Sequence, residues 1–157
     1  MKAREVMTRN AATCRSSDSL DRAAQLMWDH DCGCIPVVED SGRLSGVITD
    51  RDICMAAYLQ GRPLSEIPVF NVMSAEPLAC SPDDSIESAE ALMQRRQVRR
   101  VPVTENGRLM GMLSLCDIVQ ALRKHSRDAI RADGIMDTIL RITEPPRARQ
   151  ATAMATG

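Results

Sequence analysis

The sequence predicts an α+β fold made of two copies of one small unit, each a three-stranded sheet carrying two helices. Three observations predict it. The chain repeats itself: with an offset of 66, Val6 and Met7 match Val72 and Met73, Cys14 matches Cys80, Asp18 and Ser19 match Asp84 and Ser85, Leu26 and Met27 match Leu92 and Met93, and Pro36 and Val37 match Pro102 and Val103. One residue is lost in the turn near Ser41, and Gly42, Leu44, Gly46 and Asp52 then match Gly107, Leu109, Gly111 and Asp117 at an offset of 65. Within each copy the apolar period switches between helical and extended spacing. Finally, one copy of about 55 to 60 residues is too small to bury a convincing core alone, so two must pack together.

Each copy opens with a short strand, near 12–15 and 78–81. A helix follows, started by SSDSL in the first copy and SPDDSI in the second, where Ser, Asp and Pro supply N-terminal signals. Leu20, Ala23, Ala24 and Met27 form its buried stripe, as do Ile86, Ala89 and Met93 in the second copy. IPVV and VPV are short apolar strands that turn through EDSG and ENG into LSGVI and LMGML, and the Asn-Gly pair between apolar runs signals a hairpin. A second helix is predicted over 50–59 and 115–124. Gly61, Pro63 and Pro68 mark the connection between copies. The chain thus divides into 1–62, 63–125 and a tail, 126–157. The tail holds an amphipathic helix over 133–142, with Ile135, Met136, Ile139 and Leu140 on one face, and ends in the flexible stretch PPRARQATAMATG.

Of the 157 residues 44% are hydrophobic and 26% charged, values of a globular chain. A net charge of -1, with one Trp, one Tyr and one Phe, gives neither the basic footprint nor the stacking rings of a nucleic-acid binder. No apolar run approaches the roughly 18 residues of a membrane span. MKAREVMTRN lacks the apolar segment of a signal peptide. A cytoplasmic protein is expected, its six cysteines reduced and mostly small buried apolar residues.

The stretch HDCGC, residues 30–34, invites a metal or redox reading. Its twin in the second copy, Arg96 to Arg100, could hold no soft metal. Cys32 and Cys34 are one residue apart, and no further CxxC or HxxxH completes four ligands. The stretch is better read as a helix exit whose small residues allow close approach to the backbone.

GVITDRD (46–52) and GMLSLCD (111–117) carry the chemistry. Each places a glycine, two apolar residues, a hydroxyl and an aspartate at one spacing, on a strand that becomes a helix. A capping box explains one such motif. Capping prefers Glu or Gln, however, and Asp is one methylene shorter, so its recurrence points to another task. A carboxylate at a helix start can accept both hydroxyls of a ribose, while free amides and the Thr or Ser hydroxyl hold a phosphate.

Two copies of the pattern strand, helix, "hPV", turn, "GhhTxxD", helix resemble the CBS domain in its tandem form, the Bateman module, over residues 3–124. The resemblance implies a pseudo-twofold pair with two clefts that bind AMP, ADP, ATP or S-adenosylmethionine as regulatory ligands, with no obligatory cofactor and no metal. It assigns ribose binding to Asp52 and Asp117 and hydroxyl contacts to Thr49 and Ser114. Adenine would sit near Thr13, Cys34 and Ile35 in one cleft and near Ala79, Arg100 and Val101 in the other. Arg99 and Arg100, replacing Gly33 and Cys34 of the first copy, are phosphate candidates, and their alternation along a strand would send each to a different cleft. Arg51 is a further candidate. Because Ala79 replaces Thr13, the two clefts should differ in affinity.

The functional expectation is therefore a nucleotide sensor that signals through conformation or assembly, as a homodimer and to a partner enzyme or transporter. The alternative is a structural homodimerisation module with empty pockets, its contact extended by the tail helix. Neither a nucleophile elbow nor a carboxylate cluster suggests an enzyme.

Overall fold

A computed structural model describes residues 1–75, 77–125, 137–139, 141 and 142. Helix α1 spans Ala3–Val6, and α2 spans Leu20–Asp29 behind Ser19. Strands β1 (Cys34–Val38) and β2 (Leu44–Thr49) form a hairpin, and α3 (Asp50–Gln60) leaves directly from β2. After two short 3-10 turns comes β3 (Ser74–Ala75). The second copy supplies α4 (Ile86–Arg96), β4 (Arg100–Glu105), β5 (Arg108–Ser114) and α5 (Leu115–His125).

The sheets have the order β1-β2-β3 and β4-β5, antiparallel throughout. The strands expected at 12–15 and 78–81 shrink to single parallel bridges, Cys14 to Val37 and Cys80 to Val103. Proline is the reason. Pro36 and Pro102 have no N–H to carry the ladder further: each carbonyl accepts, from Cys14 N at 3.3 Å and Cys80 N at 3.0 Å, and Val38 N and Thr104 N donate to Cys14 O and Cys80 O at 2.9 Å.

The third strand comes from the other copy. β3 pairs Ser74 with Val47 of β2, while its equivalent, Thr8, bridges Met112 of β5. The cores record the same exchange. Leu20, Ala23, Met27, Ile35, Val37, Ile48 and Ile53 bury against Ile67 and Val69, which follow α3, while Ile86, Met93, Val101, Leu113 and Ile118 bury against Ala3. Each repeat is therefore completed by a segment that precedes the other in sequence. Gly46 and Gly111 make room for it: a Cβ on Gly111 would lie 2.5 Å from the Thr8 carbonyl oxygen, and one on Gly46 would lie 2.7 Å from Met73 Sδ. This steric need explains why both chemical motifs begin with glycine.

The hairpin tips join the halves. Asn106 and Gly107 have φ of 51° and 78°, the left-handed pair of a tight turn. Leu44 N donates to Gly107 O and Leu109 N to Gly42 O, both at 3.0 Å, which bonds each hairpin to its twin across the pseudo-twofold axis.

The C-terminal helix expected over 133–142 is described only at 137–139, 141 and 142, which are helical. Ile135, Met136, Leu140 and the stretch from 143 lie outside the described residues. Ile142 joins the core of the second repeat, so this segment packs on its own chain.

Candidate functional site

Each β-to-α junction ends in a polar clasp. Thr49 is the N-cap of α3, with extended backbone angles, and its Oγ1 accepts from Asp52 N at 3.2 Å. Asp52 Oδ2 accepts from Thr49 N at 2.9 Å and from the Thr49 hydroxyl at 2.7 Å. At Ser114 the three corresponding distances are 3.1, 2.8 and 2.6 Å. Both are closed capping boxes. Aspartate, expected to be too short for this task, is long enough: with the cap residue extended, one carboxylate oxygen reaches its N–H and O–H together.

The clasp decides what is left for a ligand. Each hydroxyl has committed its proton to its own aspartate and retains one lone pair. Among the described residues, Oδ1 of Asp52 and Oδ1 of Asp117 receive no hydrogen bond. What remains on each clasp is an acceptor, suited to a donor such as a sugar hydroxyl.

Both clasps border one cavity of about 880 Å³ between the repeats. The first repeat contributes Gly33, Cys34, Val47 and Thr49 to its walls, and the second contributes Arg99, Arg100, Val101 and Ser114. Asp52 and Asp117, the predicted ribose binders, are not among the lining residues; each is tied to the cavity through the Thr49 or Ser114 hydroxyl that it holds. Arg99 and Arg100 line the same cavity and do not diverge to separate clefts, because Arg99 precedes β4 and strand alternation does not govern it. Arg51, at the start of α3, lines it too.

Other candidate residues sit elsewhere. Ile35 is fully buried in the first core. Ala79 lies in the approach to Cys80, outside this lining, although its neighbours Pro77 and Leu78 belong to it. Thr13 is exposed and borders a separate hollow of about 470 Å³ with Arg15, Asp18 and Asp40. Sequence reasoning missed Val47, Ser74, Val119 and Ile139 as wall residues. For Ser74 the signal was present, since it is the repeat partner of Thr8. For Ile139 the signal was its place on the apolar face predicted over 133–142, which marks burial and not a cavity rim.

HDCGC is cavity wall at Gly33 and Cys34. Gly33 admits the Asp50 carboxylate, which would lie 2.6 Å from an added Cβ. Among the described residues no group of three or more His, Cys, Asp or Glu side chains is placed to hold a metal ion. Burial pushes the Cys34 thiol up to about 11; Arg100 opposes this, while Cys32, Asp52 and Asp50 add to it. Burial first, then Asp18, raises Cys14 to about 11, and burial with Asp84 does the same to Cys80.

A thiol whose pKa is raised by folding stabilises the native state below its unfolded pKa, and that contribution is lost as pH rises through the folded value. The denaturation midpoint is therefore expected to fall between pH 9 and 11. Alanine at both Cys14 and Cys80 should flatten the decline in a urea series; an unchanged slope would exclude these thiols as its source.

The family model described as "CBS domain" matches residues 3–58 and 66–124. The chain is 40% identical over 115 residues to the CBS domain-containing protein YhcV of Bacillus subtilis (strain 168), covering 73% of this chain and 81% of that one. The crystal structure of Hypoxic Response Protein I with two coordinated zinc ions is 32% identical, with a TM-score of 0.70 over 76% of this chain and 98% of that one. The crystal structure of CBSX2 in complex with AMP is 26% identical, with a TM-score of 0.72 over 80% of this chain and 98% of that one.

Proposed function

This chain belongs to the CBS domain family, as a tandem pair, and on that premise we propose that it is a regulatory module that senses an adenosine nucleotide. The observation that carries the reading is one cavity lined by Thr49 and Ser114, the hydroxyl members of both clasps, and by Arg99 and Arg100. A nucleotide has complementary chemistry. Its ribose hydroxyls donate to Oδ1 of Asp52 or Asp117 and to the spare lone pair of Thr49 or Ser114. Its phosphate meets the two guanidiniums, with Arg51 in reach of the same space, and Val101 and the backbone at Cys34 offer apolar surface to the base. Of the base-contacting residues that the resemblance names, Ile35 and Ala79 adjoin the lining residues Cys34 and Leu78 in sequence, while Thr13 borders the separate hollow and has no part in this reading. The AMP complex of CBSX2 supports the ligand class, with ADP, ATP and S-adenosylmethionine as further candidates. The reading is regulatory rather than catalytic. Ligand signals only if it prefers one packing of the two repeats over another, and the receiver would be an enzyme or transporter. Among the described residues no helix is long and apolar enough to cross a membrane, and all six cysteines are free thiols, which suits a cytoplasmic setting.

Thermal denaturation with AMP, ADP, ATP, S-adenosylmethionine and NADH tests this. A ligand at about 100 times its dissociation constant adds about 2.7 kcal/mol. Asp52→Asn with Asp117→Asn is the informative variant: the amide oxygen preserves the clasp, while an NH2 replaces the free acceptor. The variant should keep its unliganded midpoint and lose the ligand-induced rise. If no compound moves the wild-type midpoint, the sensor reading fails.

A second reading, homodimerisation, is favoured by one observation. Trp28 is 87%, Tyr58 80% and Leu59 72% exposed, on the two helices of the first repeat. Such a group of large apolar side chains marks an interaction surface. Trp28→Glu with Tyr58→Glu is expected to convert a dimer to a monomer in sedimentation equilibrium; a wild-type monomer would remove this reading.

A further inference from the structure

We propose that Ile139, which lies beyond both repeats, is a ligand-contacting residue that sets the affinity of the cavity; this rests on the nucleotide reading above. The family match ends at residue 124. Helical residues 137–139, 141 and 142 nevertheless return to the second repeat. Thr138 is fully buried, and its Oγ1 accepts from Gln94 Nε2 of α4 at 2.7 Å. Ile142, one helical turn later, enters the core beside Ala3 and Ile86. Asp137 and Arg141 pair at 2.8 Å on the exposed side. Positions 138 and 142 therefore fix the inward face, and a rotation of about 100° per residue places 139 at its edge. There Ile139 borders the cavity together with Leu115 and Val119 of α5.

These three side chains give the cavity an apolar shelf within the space that also holds Arg99 and Arg100. A flat base belongs on the shelf and a phosphate on the guanidiniums. On the first repeat's side the segment that follows α3 also lines the cavity, through Ser74, Pro77 and Leu78. The docked segment adds Ile139 on the second repeat's side, and there the base rests. Ile139 meets the ligand only with the segment docked, so ligand and docking reinforce one another, and the coupling is reciprocal.

The test uses the full chain, with AMP and ribose 5-phosphate as probes in titration calorimetry. Ile139→Asn is expected to weaken AMP binding by at least about tenfold, as loss of an apolar contact to the base implies. Being uncharged, it should leave ribose 5-phosphate unchanged, and Ile139→Leu should bind AMP as the wild type does. Saturating AMP should also slow amide hydrogen exchange at 138, 139 and 142. The proposal is overturned if the Asn variant binds AMP normally, if both probes weaken equally, or if exchange does not change. Failure with intact wild-type AMP binding removes only the role of Ile139. Absence of AMP binding to the wild type removes the nucleotide reading with it.

Discussion

Replacing Arg99 and Arg100 together by glutamine is expected to weaken AMP binding by a factor of about 100 or more while leaving the fold intact. Hydrogen bonds to charged groups contribute about 1.5 to 3 kcal/mol each. Two such contacts therefore account for about 3 to 6 kcal/mol, and every 1.4 kcal/mol is tenfold in affinity. Both side chains are exposed to the cavity and neither contributes to a core, so the unliganded denaturation midpoint should stay within error. Adenosine separates the phosphate role from a general one. It carries the same sugar and base without the phosphate, so its affinity should change little. Equal loss for AMP and adenosine would mean that the arginines shape the cavity instead of holding the phosphate.

Gly111→Val is the second large effect, and it acts on stability. The new Cβ would stand 2.5 Å from the Thr8 carbonyl oxygen and 3.2 Å from Arg9 Cα, both backbone atoms held by the bridge to Met112. Overpacking of this kind costs about 1 to 3 kcal/mol and more where backbone must move, against a total of about 5 to 15 kcal/mol for an ordinary domain. A drop in the urea midpoint is the measurement. Gly46→Ala is the graded comparison, since its nearest obstacle is the Met73 thioether, which can rotate away, although Ser74 O lies at 3.0 Å. A Gly111→Val protein as stable as wild type would show that the N-terminal segment does not cross β5.

These two sites also show what a sequence reading can reach. Arg99 and Arg100 were legible as candidates because the repeat sets them against Gly33 and Cys34, although RRQVRR reads equally as a solvated charge run, and only the fold puts both on a cavity wall. Their convergence on one cavity was not legible, since alternation holds only inside a strand and β4 begins at Arg100. The glycines at 46 and 111 were visible as a motif, but their cause, a chain segment arriving from the other repeat, lies more than 25 residues away in sequence for Gly46 and about 100 for Gly111. The aspartates were read correctly as paired and incorrectly as too short to cap, because reach depends on the cap residue's backbone angles.

Periodicity, turn chemistry and the internal repeat were sufficient for the α+β class, the two units, and the helices and hairpins of each, because these follow from local preferences and from burial on one face. Which segment completes which sheet, whether two clefts or one open space lies between the units, and that Ile139 reaches its edge are set by packing between distant parts of the chain. Such contacts leave no periodic trace, since a single side chain at a rim satisfies no local rule and is selected only by the shape of what it meets.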